Sequence, residues 1–186
     1  MTGRTVEEYR QIFDRCCELM ELVQSIPQPV IARVHGIATA AGCQLVAMCD
    51  LAVAARDARF AVSGINVGLF CSTPSVALSR NLSRKAAFEM LVTGDFISAE
   101  QALAKGLVNR VVDAARLDAE VDALAASIVA KPRDSIALGK QLFYRQLETG
   151  IEAAYADAEK TMACNMMQHA ALEGVQAFID KRPPNW

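Results

Sequence analysis

Apolar residues first fall on one helical stripe. Ile12, Cys16, Leu19, Met20 and Val23 recur at three- and four-residue spacing, which predicts a helix to about Ser25. Thr5-Val6-Glu7-Glu8 has the form of a capping box at its start, and Pro27 and Pro29 stop it. Pro29-Val30-Ile31-Ala32-Arg33-Val34 is short and rich in β-branched residues, as in a buried strand. A turn of small residues follows, then a helix from about Ala41 to Cys49. Leu51–Ala54 and Arg59–Val62 are further short strands, and residues 63–73 form a glycine-bearing loop.

Beyond that loop, Thr73-Pro74 reads as an N-cap followed by proline at the first helical position. Helices are predicted over 74–81, 84–92 and 98–105, the last with a capping box between Ser98 and Gln101. Val108–Val112 reads as a final strand, and from Leu117 onward the pattern is helical until Pro183-Pro184. Strands alternating with helices, then a helical tail, predict an α/β fold. One domain is expected, with a core over residues 1–116 and a helical region over 117–186.

Composition narrows the function classes. With 19 basic and 21 acidic residues the net charge is -2, and no basic run carries interleaved aromatics, so nucleic acid is not an expected partner. Between Arg33 and Arg56 the only formal charge is Asp50, and the length would span a bilayer. The residues there are mostly small and insert weakly, and Asp50 would cost about 2.5–3.5 kcal/mol near the centre, so the segment is expected to be protein core. The six cysteines form no CxxC pair and only two histidines are present, which argues for reduced thiols and no metal site. The start has neither a signal-peptide core nor a transit-type segment.

The chemistry concentrates in HGIATAAGCQLVAMCD, residues 35–50. Small residues ahead of a helix let another group approach unpaired backbone N–H donors and the positive end of the helix dipole. The plainer reading is that Ala40-Ala41-Gly42 only permits tight helix–strand packing.

Three ordered segments carry a family resemblance: PQPVIARVHGIATAAGCQLVAMCDLAVAARDARF, LVTGDFISAEQALAKGLVNRVV and EGVQAFIDKR. They resemble the crotonase, or enoyl-CoA hydratase/isomerase, superfamily over most of the chain from Pro27 onward. The resemblance implies a spiral of ββα turns with a C-terminal helical region, assembled as trimers or dimers of trimers. It also implies acyl-CoA thioesters as ligands in fatty-acid metabolism, with no cofactor beyond the coenzyme A of the substrate. The family's N-terminal spiral turns, which supply its first oxyanion donor, are expected to be missing from this chain.

Matched residue by residue, the resemblance puts the second oxyanion donor at the N–H of Ala41. Such donors are worth about 2.7–4 kcal/mol each in the transition state. Gly36, Ala38, Ala40, Gly42, Gly68 and Cys71 fall at substrate-lining positions. Phe178 and Lys181 fall where the family holds the nucleotide, with Arg182 alongside as a second phosphate partner; the plainer reading is a basic helix C-terminus. The family's two catalytic glutamates fall on Gln44 and Gly64. General acid–base groups are worth 10²–10⁴-fold each, so standard hydration is expected to be nearly lost. An acyl-CoA binder, a regulatory subunit and a truncated inactive form are the readings this leaves beside a lyase or isomerase. Restoring both carboxylates is expected to raise crotonyl-CoA hydration. Cys71 and Ser72 offer a thiol and a hydroxyl nearby but no evident base; His35 and His169 are expected to play minor parts. The alanine-rich composition points to a bacterial cytoplasm, with a mitochondrial matrix as the alternative.

Overall fold

The computed structural model describes residues 3–186, which divide into two compact units. The first runs through Gln24 and from Val30 to Ala123. Its long opening helix, α1 (Val6–Ser25), starts at the expected capping box: Thr5 Oγ1 accepts from Glu8 N at 3.2 Å, and Glu8 Oε2 accepts from Thr5 N at 2.7 Å. Next come β1 (Ile31–Val34), β2 (Ile37–Thr39), α2 (Ala41–Met48), β3 (Leu51–Ala55) and β4 (Arg59–Ala61). A 3-10 turn (Ser63–Val67) leads to α3 (Ser72–Asn81) and α4 (Arg84–Thr93). β5 (Ile97–Ser98), α5 (Ala99–Lys105) and β6 (Arg110–Val112) complete this part before α6 (Leu117–Val129), inside which the division falls.

Two small sheets organise the unit. One is parallel, in the order β1-β3-β6, and the other has the order β2-β4-β5, with β2 parallel and β5 antiparallel to β4. Side chains complete their polar accounting. Asn109 brackets Ala52, accepting from its N–H at 2.7 Å through Oδ1 and donating its own N–H to the Ala52 carbonyl at 2.8 Å. Asp50 Oδ2 accepts from Val30 N at 2.6 Å, fixing the entry to β1. Phe60, Leu78, Met90, Leu117, Val53 and Val62 are the large, fully buried side chains between sheets and helices.

Three local readings are corrected. The glycine–alanine turn contains β2, since Ile37–Thr39 pairs with Arg59–Ala61. Ile97–Ser98 also pairs, too short a stretch to show a period of its own. The third helix begins at Ser72 with Cys71 as N-cap, so Pro74 is its third residue. A missing N–H is still harmless there, because the first-turn donors have no intrahelical acceptor.

The second unit comprises Ser25–Pro29 and Leu124–Trp186, with α7 (Arg133–Leu147), α8 (Ile151–Met166) and α9 (His169–Ile179) following the end of α6. Arg145 forks onto Asp157 at 2.7 and 2.9 Å, tying α7 to α8. Lys140, buried, donates to the Gln28 carbonyl at 2.9 Å. Lys181 takes φ 53°, which turns the chain back after α9. Arg182 then grips both oxygens of Glu173 at 2.7 and 3.0 Å, Asn185 N donates to Glu173 Oε1 at 2.8 Å, and Trp186 Nε1 donates to the Ala130 carbonyl at 3.0 Å.

The Arg182 guanidinium and the Asn185 N–H hold the Glu173 carboxyl at about 2, below its ordinary 4.5. A depressed folded value means the clasp contributes stability above pH 4.5, lost as the pH falls towards 2. Trp186 is the sole tryptophan. Its fluorescence is therefore expected to change across that window, and Glu173→Gln is expected to give the low-pH spectrum already at pH 7. A flat signal from pH 5 to 2 would rule the clasp out.

Candidate functional site

The head of α2 is set by strain at one residue. Ala40, its N-cap, sits at φ 49°, ψ -118°, a region that L-residues avoid and that costs roughly 1–3 kcal/mol. Its N–H donates to the Ala61 carbonyl at 3.0 Å, extending the β2–β4 ladder by one step, while its own carbonyl accepts from Gln44 N at 3.0 Å. The chain thus turns directly from strand to helix. Ala41 and Gly42 are exposed at the first two helical positions, and no side chain caps them. Their N–H groups have no acceptor within the helix and face outward at its positive end.

Gln44 lies three residues on, on the same helical face as Ala41. It is only 4% exposed, and its Oε1 accepts from the Cys16 thiol of α1 at 3.9 Å. An amide there has no proton to exchange near neutral pH.

Gly64, where the family resemblance suggests a second glutamate, leaves no room for a side chain. Gly64 lies in the 3-10 turn, where Leu69 N donates back to its carbonyl at 2.9 Å and Gly68 N to the Ile65 carbonyl at 3.0 Å. Gly68 takes φ 79°, the left-handed conformation this turn requires. A Cβ on Gly64 would come within 2.5 Å of the Leu69 carbonyl oxygen and 2.8 Å of Cys71 Sγ. A carboxylate cannot simply be put back at this point.

Cys71 is buried beside this turn, and Cys43 is fully buried on α2. Burial first, and the nearby Cys71 thiol second, push the Cys43 thiol up to about 12, against a weaker opposing hydrogen bond with the Ala61 backbone. It stays protonated at neutral pH and is no nucleophile.

A groove of about 430 Å³ runs along β1 and one side of α2 and gathers Gly36, Ala38 and Gly42 with His35. Ala40, Ala41, Gln44, Gly64, Gly68 and Cys71 lie outside its lining. Phe178 and Lys181 belong to the second unit, at the end of α9, where Phe178 is 85% exposed. Lys181 is exposed on the same turn, whereas the Arg182 fork is occupied by Glu173. Among the described residues no group of three or more His, Cys, Asp or Glu side chains could hold a metal, and no helix is long and apolar enough to cross a membrane.

Sequence reading missed one pair of groups. Thr39 Oγ1 and Ser63 Oγ are 3.2 Å apart, one ending β2 and the other following β4. No local sequence signal marks it, because β2 is only three residues long and its partner β4 brings Ser63 beside Thr39.

The enoyl-CoA hydratase/isomerase family profile matches residues 1–186. Rat mitochondrial enoyl-CoA hydratase domain-containing protein 3 (Rattus norvegicus) is 47% identical over the whole chain, which spans 62% of that protein. The stretches TAAGCQL, GINVGLFCSTPSVAL and KRPPNW resemble the same branch. Among solved structures, a Mycobacterium smegmatis enoyl-CoA hydratase is 68% identical with a TM-score of 0.98, the chain covering 72% of it. Human enoyl-CoA hydratase domain-containing protein 3 is 46% identical with a TM-score of 0.93; the match takes in 98% of this chain and 74% of that one. The expected crotonase-type α/β fold is therefore borne out, and the chain belongs to the enoyl-CoA hydratase/isomerase family.

Proposed function

We propose that this chain binds acyl-CoA thioesters of fatty-acid metabolism, with the thioester oxygen on the N–H of Ala41, and does not hydrate them by the two-carboxylate route. The observation that carries this reading is the pairing of an open helix head at Ala41 with a closed turn at Gly64. A helix head of this kind would donate to a thioester oxygen, and neither Gln44 nor Gly64 offers a carboxylate to move a proton. Ligands of this class accord with the family and with the names of the relatives.

Exposed apolar side chains on α9, Leu172, Val175 and Ile179, support self-association, which we take to be trimeric or hexameric as in the family. The 68% identity to a Mycobacterium smegmatis protein supports a bacterial cytoplasm, while the mitochondrial names of the curated relatives favour the matrix alternative.

Isothermal titration with crotonyl-CoA, followed by absorbance at the enoyl thioester band, tests the reading. Binding with the band retained is the expected result. Rapid loss of the band would show that Gln44 and Gly64 are bypassed, and absence of binding would reject the thioester site. Nucleotide contact is tested separately. Lys181→Ala is expected to weaken CoA binding about three- to tenfold, as for one charge-assisted contact. Arg182→Ala is expected to leave CoA affinity within twofold while releasing the tail, because its fork serves Glu173.

A further inference from the structure

A cavity of about 340 Å³ lies away from the head of α2, lined by the end of α4, by β5 and by α5. Its two sides differ in chemistry. Gln101 and Lys105, four residues apart on α5, share one helical face. Ser98 N donates to Gln101 Oε1 at 2.9 Å in the capping box, which leaves the amide NH2 with two donors. Lys105, half-buried, donates to Glu89 Oε2 at 3.2 Å and keeps two further N–H groups. The α5 side therefore donates. On the α4 side, Glu89 retains a second carboxylate oxygen, and the Asp95 carboxylate has no partner among the described residues. Asp95 follows the C-terminal end of α4, where backbone carbonyls lack helical partners and the dipole is negative. The α4 side therefore accepts. Met90 and Ile97, both buried, supply the apolar part with Phe96, whose ring centre is 4.6 Å from the Arg59 guanidinium.

A group bound there must accept from α5 and donate to Glu89 and Asp95, which calls for one anionic and one cationic end. The Lys105–Glu89 contact puts the two sides one hydrogen bond apart where they meet, so the charges of the ligand must be close together. An α-amino acid carries both on one carbon. Its third substituent is then left for the apolar part of the cavity. We propose that this cavity binds a free α-amino acid with an apolar side chain, its carboxylate on Gln101 and Lys105 and its ammonium on Asp95 and Glu89. The thioester reading is not needed for this site, which shares no residue with the head of α2 or with the groove along β1.

Calorimetric titration of the 186-residue chain with L-leucine tests it, and a dissociation constant of about 1 mM or tighter is expected for a ligand of this size. Three relatives of leucine isolate the two charges. 6-Aminohexanoate is an isomer with its charges far apart, 4-methylpentanoate lacks the ammonium, and 3-methylbutylamine lacks the carboxylate. Each is expected to bind at least about tenfold more weakly, the worth of one charge-assisted hydrogen bond. Asp95→Asn removes the free carboxylate, and Gln101→Glu keeps the capping box while turning a donor into an acceptor. Both positions are exposed, so both variants are expected to melt with the wild type and still to bind leucine at least about tenfold more weakly. Absence of leucine binding up to about 10 mM, equal affinity for 6-aminohexanoate, or unchanged affinity in both variants overturns the proposal.

Discussion

Gly64→Ala is expected to lower stability by about 1–3 kcal/mol, the usual cost of forcing an extra carbon into a filled site. The added methyl would sit 2.5 Å from a backbone carbonyl held in a hydrogen-bonded turn, and 2.8 Å from a buried thiol. Neither neighbour is the free end of a flexible side chain. Against this, alanine stiffens the unfolded chain, a gain of about 0.4–1 kcal/mol, so the clash prevails. The melting temperature should fall by roughly 2–4 °C for each kcal/mol in a chain of this size, read by circular dichroism. Gly64→Glu is expected to be at least as unstable and to add no crotonyl-CoA hydration. An alanine variant that melts with the wild type would mean that the 64–69 turn is open in solution.

This expectation departs from the one that sequence alone supports, and the reason is physical. HGIATAAGCQL and the stretch ending at Phe60 suggest where the family's two carboxylates would fall, because residue identity along a motif is one-dimensional information. Whether position 64 has room depends on Leu69 and Cys71, five and seven residues away, through a 3-10 turn that has no periodic signature. The capping boxes at Thr5 and Ser98 were legible because their hydrogen bonds stay within four residues. β2 and β5 were not, since three- and two-residue strands are defined by their partner β4 rather than by their own pattern. The same limit hid the Thr39–Ser63 pair, which exists only through the β2–β4 register. Arg182 illustrates it from the other side. A basic residue beside Lys181 reads as a phosphate ligand until Glu173, nine residues back on the preceding helix, is seen to hold it.

The first family position behaves differently from the second, because Gln44→Glu changes neither volume nor shape. The new carboxyl would be 4% exposed beside the Cys16 thiol, and burial disfavours its charged form. The favourable dipole at the start of α2 returns only about 0.3–1 kcal/mol. An acid whose folded value is raised loses stability as the pH climbs from its unfolded value, near 4.3, to that raised value. The cost to stability then grows as the pH climbs through that raised value and vanishes near pH 4. The stability difference from wild type, measured by urea unfolding across this range, is expected to widen with pH. A difference independent of pH would show that residue 44 meets solvent instead of Cys16. A carboxyl raised by burial is also better matched to proton transfer at neutral pH, so crotonyl-CoA hydration is expected to rise about 10²-fold over the wild type, the low end for one general acid–base group. A folded Gln44→Glu variant that binds crotonyl-CoA and stays inert would remove residue 44 from the chemistry, leaving Ala41 as a donor in a site that only binds.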